Sequence, residues 1–347
     1  MTHKYQQDIR GLNRGDQVST STIKDVAKAA EVSVATVSRV LNNKGYVNEE
    51  TRKRVTEAIA KLDYKPNAVA RSLFKKQSRT IALIVPDIKN PFFPEIARAV
   101  EDVMNDKDYT LILCNSDENE EKEKKYLDMM KQKYVDGVII VTSTLAPKHI
   151  KDNGIPIIAL DRPIENNIPS VTVNNFEGAR QAVQYLKAIG CQKIAHIRGP
   201  KNVMNADERY KGYLAEVGND SWFQNDYIVD GNYNMEQTTK ATKVLLEKYP
   251  NIDGIFAGND YMAVGVVKAA TQMGKRIPED LSIIGFDGIE LGRLTNPEIT
   301  TMSQPIYEIG TEAARLLLDL IEGKKVDKMH HQFHVTLKEG QSTQALR

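Results

Sequence analysis

Residues 22–42 read Thr22-Ile-Lys-Asp-Val-Ala-Lys-Ala-Ala-Glu-Val-Ser-Val-Ala-Thr-Val-Ser-Arg-Val-Leu-Asn42. Ile23, Val26, Ala27 and Ala30 recur at helical spacing behind Thr22, a residue type suited to the N-cap of a helix. Glu31-Val32-Ser33 interrupts that pattern, and Ser33 can cap a second short helix with Val37, Val40 and Leu41 inward. Two short helices joined by a three-residue turn make a helix-turn-helix unit. The second helix leaves Val34, Ala35, Ser38 and Arg39 on its outward face. A third helix is expected from Glu49 to Leu62, with Val55, Ile59 and Leu62 inward and Arg52, Lys53 and Arg54 outward.

The charge distribution follows the same division. The 347 residues carry a net charge of only +1. Residues 22–79 hold 13 Lys/Arg against 6 Asp/Glu, a net of +7, and residues 1–21 hold 3 against 2. The remainder therefore sums to 1 − 7 − 1 = −7. A basic block ahead of an acidic one suggests that the first block meets a polyanion. Hydrophobic residues at 41% and charged residues at 27% fit a soluble globular chain, and the length implies more than one domain. No apolar run approaches the roughly 20 residues of a membrane helix, and residues 1–20 lack the apolar segment of a signal peptide. A cytoplasmic location is expected. Cys114 and Cys191 match no metal spacing and read as small hydrophobes.

From Thr80 onward, short apolar runs alternate with helical segments. Ile81–Val85, Tyr109–Leu113, Gly137–Val141, Ile157–Leu160 and Val171–Val173 form one series of expected strands. Lys193–Ile197, Asp226–Val229, Gly254–Ala257 and Leu281–Ile284 form a second. Continuous apolar strands with crossover helices imply doubly wound parallel sheets, and two series imply two lobes. Ligands bind beyond the C-terminal ends of such strands. Just after strands stand Asn90, Phe92 and Phe93, Asp161 and Arg162, Asn259, and Asp287; Arg209, Tyr233 and Gln304 join them. Carboxylates that accept, guanidiniums and amides that donate, and aromatic faces that stack are what a monosaccharide requires. Taken singly, Asp161 and Asp287 could cap helices, Arg209 could form a surface ion pair, and Phe92 and Phe93 could be core. Asp260 reads as structural. Asp117–Lys124 reads as a solvated helix start. His330-His331-x-x-His334 lies in a β-like stretch with no evident carboxylate partner, so no metal site is expected. No nucleophile–base pair or phosphate loop points to an enzyme, and no cofactor is implied.

The residues 23–27, 32–42 and Tyr64-Lys-Pro-Asn-Ala-Val-Ala-Arg-Ser-Leu73 resemble the opening of the lac repressor family. The likeness runs along residues 22–340 and is to ribose-responsive members in low-GC Gram-positive bacteria. It implies a DNA-binding transcriptional repressor with a helix-turn-helix domain over 22–65 and a hinge helix within 66–78. A periplasmic-binding-protein-like core would follow, with one lobe of 79–173 and 305–328 and another of 174–304 and 329–347. Residues 1–21 are expected to be a disordered extension. Recognition helices present their N-terminal residues to base edges. Val34 and Ala35 would then meet thymine methyls, and Arg39 would read a guanine. Thr22, Ser33, Thr36, Ser38 and Asn42 would position the unit on phosphates, with Thr36 equally open to a structural role within its helix. The resemblance implies that Asn67 caps the hinge helix, that Ala70 lies along it, and that Leu73 wedges into the minor groove. Leu73 could otherwise be linker core. Two half-sites imply a homodimer on a near-palindromic operator.

The cleft set is also similar to that of periplasmic ribose-binding proteins, which implies D-ribose or a related pentose as effector. Tyr233 stands where those proteins have phenylalanine. Kinship further implies release of DNA on sugar binding. A second member of the family, a catabolite-control regulator with a serine-phosphorylated phosphocarrier protein as corepressor, shares Ser33-Val-Ala-Thr36 and remains an alternative.

Overall fold

The computed structural model describes residues 21–43, 45–65, 77–142 and 144–345. The chain divides at residues 76/77 into two compact units. The expected extension over 1–20 and the expected hinge helix, with Asn67, Ala70 and Leu73, lie outside the described residues.

In the first unit, α1 (Ile23–Ala29), α2 (Val34–Leu41) and α3 (Glu49–Lys61) close around Val26, Val37 and Val55, all fully buried. Thr22 occupies the cap position of α1, but the direction of its side-chain bond differs from the usual cap. The Asp25 carboxylate reaches back and accepts from Thr22 N at 2.8 Å and from its hydroxyl at 2.7 Å. Glu31 breaks the first helix in a left-handed conformation, φ 52°. Ser33 Oγ then accepts from Thr36 N at 3.1 Å, which starts α2. The Ser21 hydroxyl donates to the Leu62 carbonyl at 2.8 Å and ties the beginning of the unit to the end of α3.

In the second unit, β1 (Thr80–Val85), β2 (Thr110–Asn115), β3 (Gly137–Ile140), β4 (Ile157–Leu160) and β5 (Ser170–Val173) alternate with α4 (Phe92–Asn105), α5 (Glu120–Gln132) and α6 (Pro147–Lys151). The second lobe runs α7 (Asn175–Ala188), β6 (Ile194–Arg198), α8 (Met204–Val217), β7 (Ile228–Asp230), α9 (Met235–Lys248), β8 (Gly254–Ala257), α10 (Asp260–Gln272), β9 (Ser282–Asp287), α11 (Glu290–Arg293) and β10 (Thr300–Ser303). After α12 (Ile306–Ile321) come β11 (His330–Phe333) and β12 (Thr336–Lys338). The sheet orders are β11-β5-β4-β3-β1-β2 and β12-β10-β9-β8-β6-β7, parallel throughout except for the β10–β12 pair. Strands β3, β4 and β8 are buried at every residue, as helices on both faces of a sheet require.

Three sequence expectations are corrected. Residues Asn225–Tyr227 form a 3-10 turn, so the strand expected from Asp226 begins at Ile228. Residues 329–347 do not all belong to the second lobe: β11 pairs with β5 in the first sheet, and only β12 returns to the second. The chain thus passes between the lobes three times, at β5–α7, β10–α12 and β11–β12. Finally, His331 has a carboxylate partner, with Nδ1 3.0 Å from Glu312 Oε1, and His330 Nδ1 pairs with Ser170 Oγ at 2.8 Å. These histidines fasten the strand edge to α12 and β5.

Close helix contacts depend on glycine at two places. A Cβ on Gly212 of α8 would run into the Phe176 carbonyl of α7, and one on Gly310 of α12 would lie 2.8 Å from Ala99 of α4.

Candidate functional site

On α2, Val34 is 40% exposed, and Ala35 and Arg39 are exposed beside it. Arg39 makes no ion pair or side-chain hydrogen bond among the described residues, so its guanidinium is free to reach a partner. The hydroxyl of Thr36 pairs with Ser33 Oγ at 2.9 Å, which gives it a structural contact at the helix start. Asn42 Nδ2 donates to the Ser38 carbonyl at 2.8 Å and lies 3.3 Å from Ser38 Oγ at the end of α2. The outward face is therefore apolar at its N-terminal end and cationic at Arg39.

The second unit holds a cavity of about 300 Å³ between its lobes. All ten residues singled out from the sequence line it: Asn90, Phe92, Phe93, Asp161, Arg162, Arg209, Tyr233, Asn259, Asp287 and Gln304. They arrive there because each follows a strand end or sits on the helix beyond one. Phe92 and Phe93, at the start of α4, meet edge to face with centroids 5.2 Å apart and form an apolar wall. Asn90, Asn234 and Asn259 share one device. Their side-chain oxygens accept from Phe92 N (3.1 Å), Gln237 N (2.8 Å) and Met262 N (2.9 Å), the first turns of three helices. Each amide oxygen is thereby fixed, leaving the Nδ2 group as the donor for the cavity.

Arg209 is 3% exposed and is held from four sides. Its Nε donates to Asn175 Oδ1 at 2.9 Å and its Nη1 to the Gly258 carbonyl at 2.6 Å. Asp287 Oδ1 lies 3.2 Å from Nη1, and the guanidinium stacks 3.8 Å above the Phe286 ring. Asp287 also accepts from Gln304 Nε2 at 2.7 Å. Burial pushes its carboxyl up to about 6 against the pull of Arg209. Asp260 stands behind this loop, accepting from Gly288 N (2.7 Å), Ile289 N (2.9 Å) and the Thr301 hydroxyl (2.6 Å), in keeping with its structural reading.

On the first lobe, burial raises the Asp161 carboxyl, opposed by Arg162 and Arg209. Asn205 Nδ2 donates to Asp161 Oδ2 at 2.6 Å, so one hydrogen bond joins the lobes across the cavity. The Tyr233 hydroxyl donates to Asn205 Oδ1 at 3.2 Å, and burial raises the phenol, keeping it a neutral donor. The hydroxyl that distinguishes Tyr233 from phenylalanine is thus tied to a neighbouring side chain.

The sequence reading missed Asp117, Glu118, Asn205, Asn232 and Asn234, which also line the cavity. A solvated helix does start within Asp117–Lys124, at Glu120, but Asp117 and Glu118 precede it, and Glu118 Oε1 is 3.0 Å from Arg162 Nη2. The rule that site residues follow strands, applied equally to β2 and β7, would have found four of these five. A second mark is backbone strain. Asp117, Glu118, Asp161, Asn232, Tyr233 and Asp287 all have positive φ, from 51° to 111°, where a side chain is unfavourable. Such strain gathers where a ligand is clamped.

Comparison with known proteins covers both units. Residues 22–67 match the model for bacterial regulatory proteins of the lacI family, and residues 78–339 match that for periplasmic binding proteins and the sugar-binding domain of the LacI family. A ribose operon repressor of Halalkalibacterium halodurans is 52% identical over 91% of this chain and 95% of its own length. A ribose operon repressor of Bacillus subtilis is 43% identical over 91% and 96%. Among solved structures, the lac repressor dimer bound to operator and an anti-inducer matches with a TM-score of 0.84 at 27% identity, covering 94% of this chain and 100% of that one.

Proposed function

The chain belongs to the lacI family of bacterial regulatory proteins, and from that premise we propose that it represses a ribose-utilisation operon and releases its operator when D-ribose or a related pentose fills the cleft. Its class, a DNA-binding transcriptional repressor of a sugar operon, follows from the family and from the ribose operon repressors among its relatives. Members of the family bind operator DNA and sugar effectors and work as dimers. The effector assignment is carried by one observation: ten residues chosen for sugar chemistry converge on a single interlobe cavity.

The proposed roles follow from the contacts. Arg39 reads a guanine edge while Val34 and Ala35 pack against thymine methyls. Asp161, Asp287 and the asparagine amides bond the sugar hydroxyls, and Phe92, Phe93 and Tyr233 cover its apolar face. Sugar that prefers one relation of the lobes weakens operator binding by the factor by which operator weakens sugar. A tenfold effect requires about 1.4 kcal/mol of differential affinity. No cofactor enters this scheme, and the site of action is the cytoplasm.

Calorimetry of the protein against ribose, other pentoses and hexoses, paired with operator binding by fluorescence anisotropy, tests the proposal. Ribose is expected to bind and to lower operator affinity, and Asp287→Ala to abolish the heat. An absence of heat with millimolar ribose overturns the effector assignment. Strong, phosphorylation-dependent capture by the serine-phosphorylated phosphocarrier protein would assign the chain to catabolite control instead.

A further inference from the structure

We propose that Glu118 makes the cleft select a free sugar and reject its phosphate esters, by engaging the guanidinium of Arg162. The proposal rests on the ribose reading and narrows it. Glu118 and Asp117 occupy consecutive left-handed conformations, with φ of 51° and 55°, although neither is glycine. That strained turn places both carboxylates on the cavity wall. Glu118 Oε1 accepts from Arg162 Nη2 at 3.0 Å, and Asp161 Oδ2 lies 3.7 Å from Arg162 Nε. Arg209, the other cation of the wall, is matched by Asp287 at 3.2 Å. Each guanidinium therefore already faces a carboxylate.

The buried and half-buried part of the wall carries Glu118, Asp161 and Asp287 against Arg162 and Arg209, while Asp87 and Asp117 stand at its exposed rim, Asp117 paired with Lys122 at 2.6 Å. A phosphate ester would bring about −1.5 to −2 further charge into that field. At the helix starts that open on the cavity, Asn90, Asn234 and Asn259 each already take one amide of the first turn. Backbone amides left open at a helix start are what ordinarily bind phosphate. Neutral hydroxyls meet the opposite situation. They can donate to the carboxylates, and Arg162 keeps two further donors, Nε and Nη1, buried without a hydrogen-bond partner among the described residues. The sensed molecule is then the substrate rather than the product of sugar phosphorylation, and a sugar kinase removes the signal.

The test is calorimetry of the full chain with D-ribose and with D-ribose 5-phosphate, in the parent and in two variants. The parent is expected to favour ribose by about a hundredfold or more. Glu118→Gln keeps the shape of the side chain but removes its charge and weakens its hold on Arg162, and is expected to narrow that ratio by about tenfold. Asp117→Asn removes a neighbouring, exposed carboxylate paired with Lys122 and leaves the Arg162 contact in place, so it should narrow the ratio less. Equal binding of both ligands by the parent overturns the proposal while leaving the ribose reading intact. An unchanged ratio in Glu118→Gln, or an equal narrowing in Asp117→Asn, overturns the role of the ion pair. Heat from neither ligand overturns the ribose reading and this proposal with it. The parent ratio needs no variant to fold.

Discussion

Replacing Asn205 with alanine should separate the lobes energetically without touching either core. Asn205 lies in the first turn of α8 in the second lobe, and its amide donates to Asp161 of the first lobe at 2.6 Å. Both partners are buried, at 5% and 7% exposure. A hydrogen bond to an ionised group contributes about 1.5–3 kcal/mol. On the proposed reading that sugar binds with these two walls together, its loss falls on the sugar-bound arrangement. That corresponds to roughly a 10- to 150-fold shift in the lobe equilibrium. Ribose affinity should fall by at least about tenfold, read by calorimetry, with a matching loss of ribose-induced operator release. A double-mutant cycle with Asp161→Asn isolates the pair, and its coupling should exceed about 1 kcal/mol. Ribose affinity within about twofold of the parent, or a coupling near zero, would refute the role of the interlobe bond.

Three further outcomes follow from other parts of the molecule. Arg39→Ala should cost about 1–3 kcal/mol in discrimination at a single base pair, seen as relaxed preference across a panel of operator variants; uniform weakening at all positions would make Arg39 a phosphate contact. Ribose affinity should fall as pH drops through about 6, because Asp287 then takes up a proton and ceases to be an ionised acceptor, and Asp287→Asn should flatten the profile. Buried His196, stacked on Tyr213 and Phe256, has its imidazole pushed down to about 4, chiefly by desolvation. Its folded pKa lies below the ordinary 6.5, so the unfolded chain binds the extra proton first and stability is lost as pH falls from about 6.5 towards 4. The loss is about 3 kcal/mol in all, and urea denaturation should show a shallower pH slope in His196→Phe.

The parts legible in the sequence are those whose cause is local or repetitive. Helices α1 to α3 announce themselves by cap residues and apolar spacing, and the central strands by unbroken apolar runs. Strand β10 does not, because three of its four buried residues are the hydroxyl-bearing Thr300, Thr301 and Ser303. Hydroxyl bonds satisfy that strand, Thr300 with Thr343 and Thr301 with Asp260, and both partners are distant in sequence. Strands β11 and β12 are half-exposed edges rich in His, Gln and Lys, so no apolar pattern marks them. In the cleft, residues of distinctive chemistry after obvious strands were readable. Glu118 was hidden in a charge run, since nothing in Asp117-Glu118 signals a left-handed turn in the way glycine would. Asn205 was hidden because its importance lies in a partner 44 residues away.

The return of the chain through β11 and β12 governs how the protein can be made. The first sheet lacks its outer strand until residues 330–333 exist, although its other five strands are finished by residue 173. The second sheet lacks its own outer strand until residues 336–338 follow. On a translating ribosome the helical unit at the N-terminus has every described element of its core available early. Both lobes must wait with an open β-edge until residues 330–338 have been made. A truncation ahead of residue 330 would leave the edges of β5 and β10 unpaired, each a template for aggregation. Emergence of residues 330–338 from the ribosome thus serves as the step that commits both lobes at once.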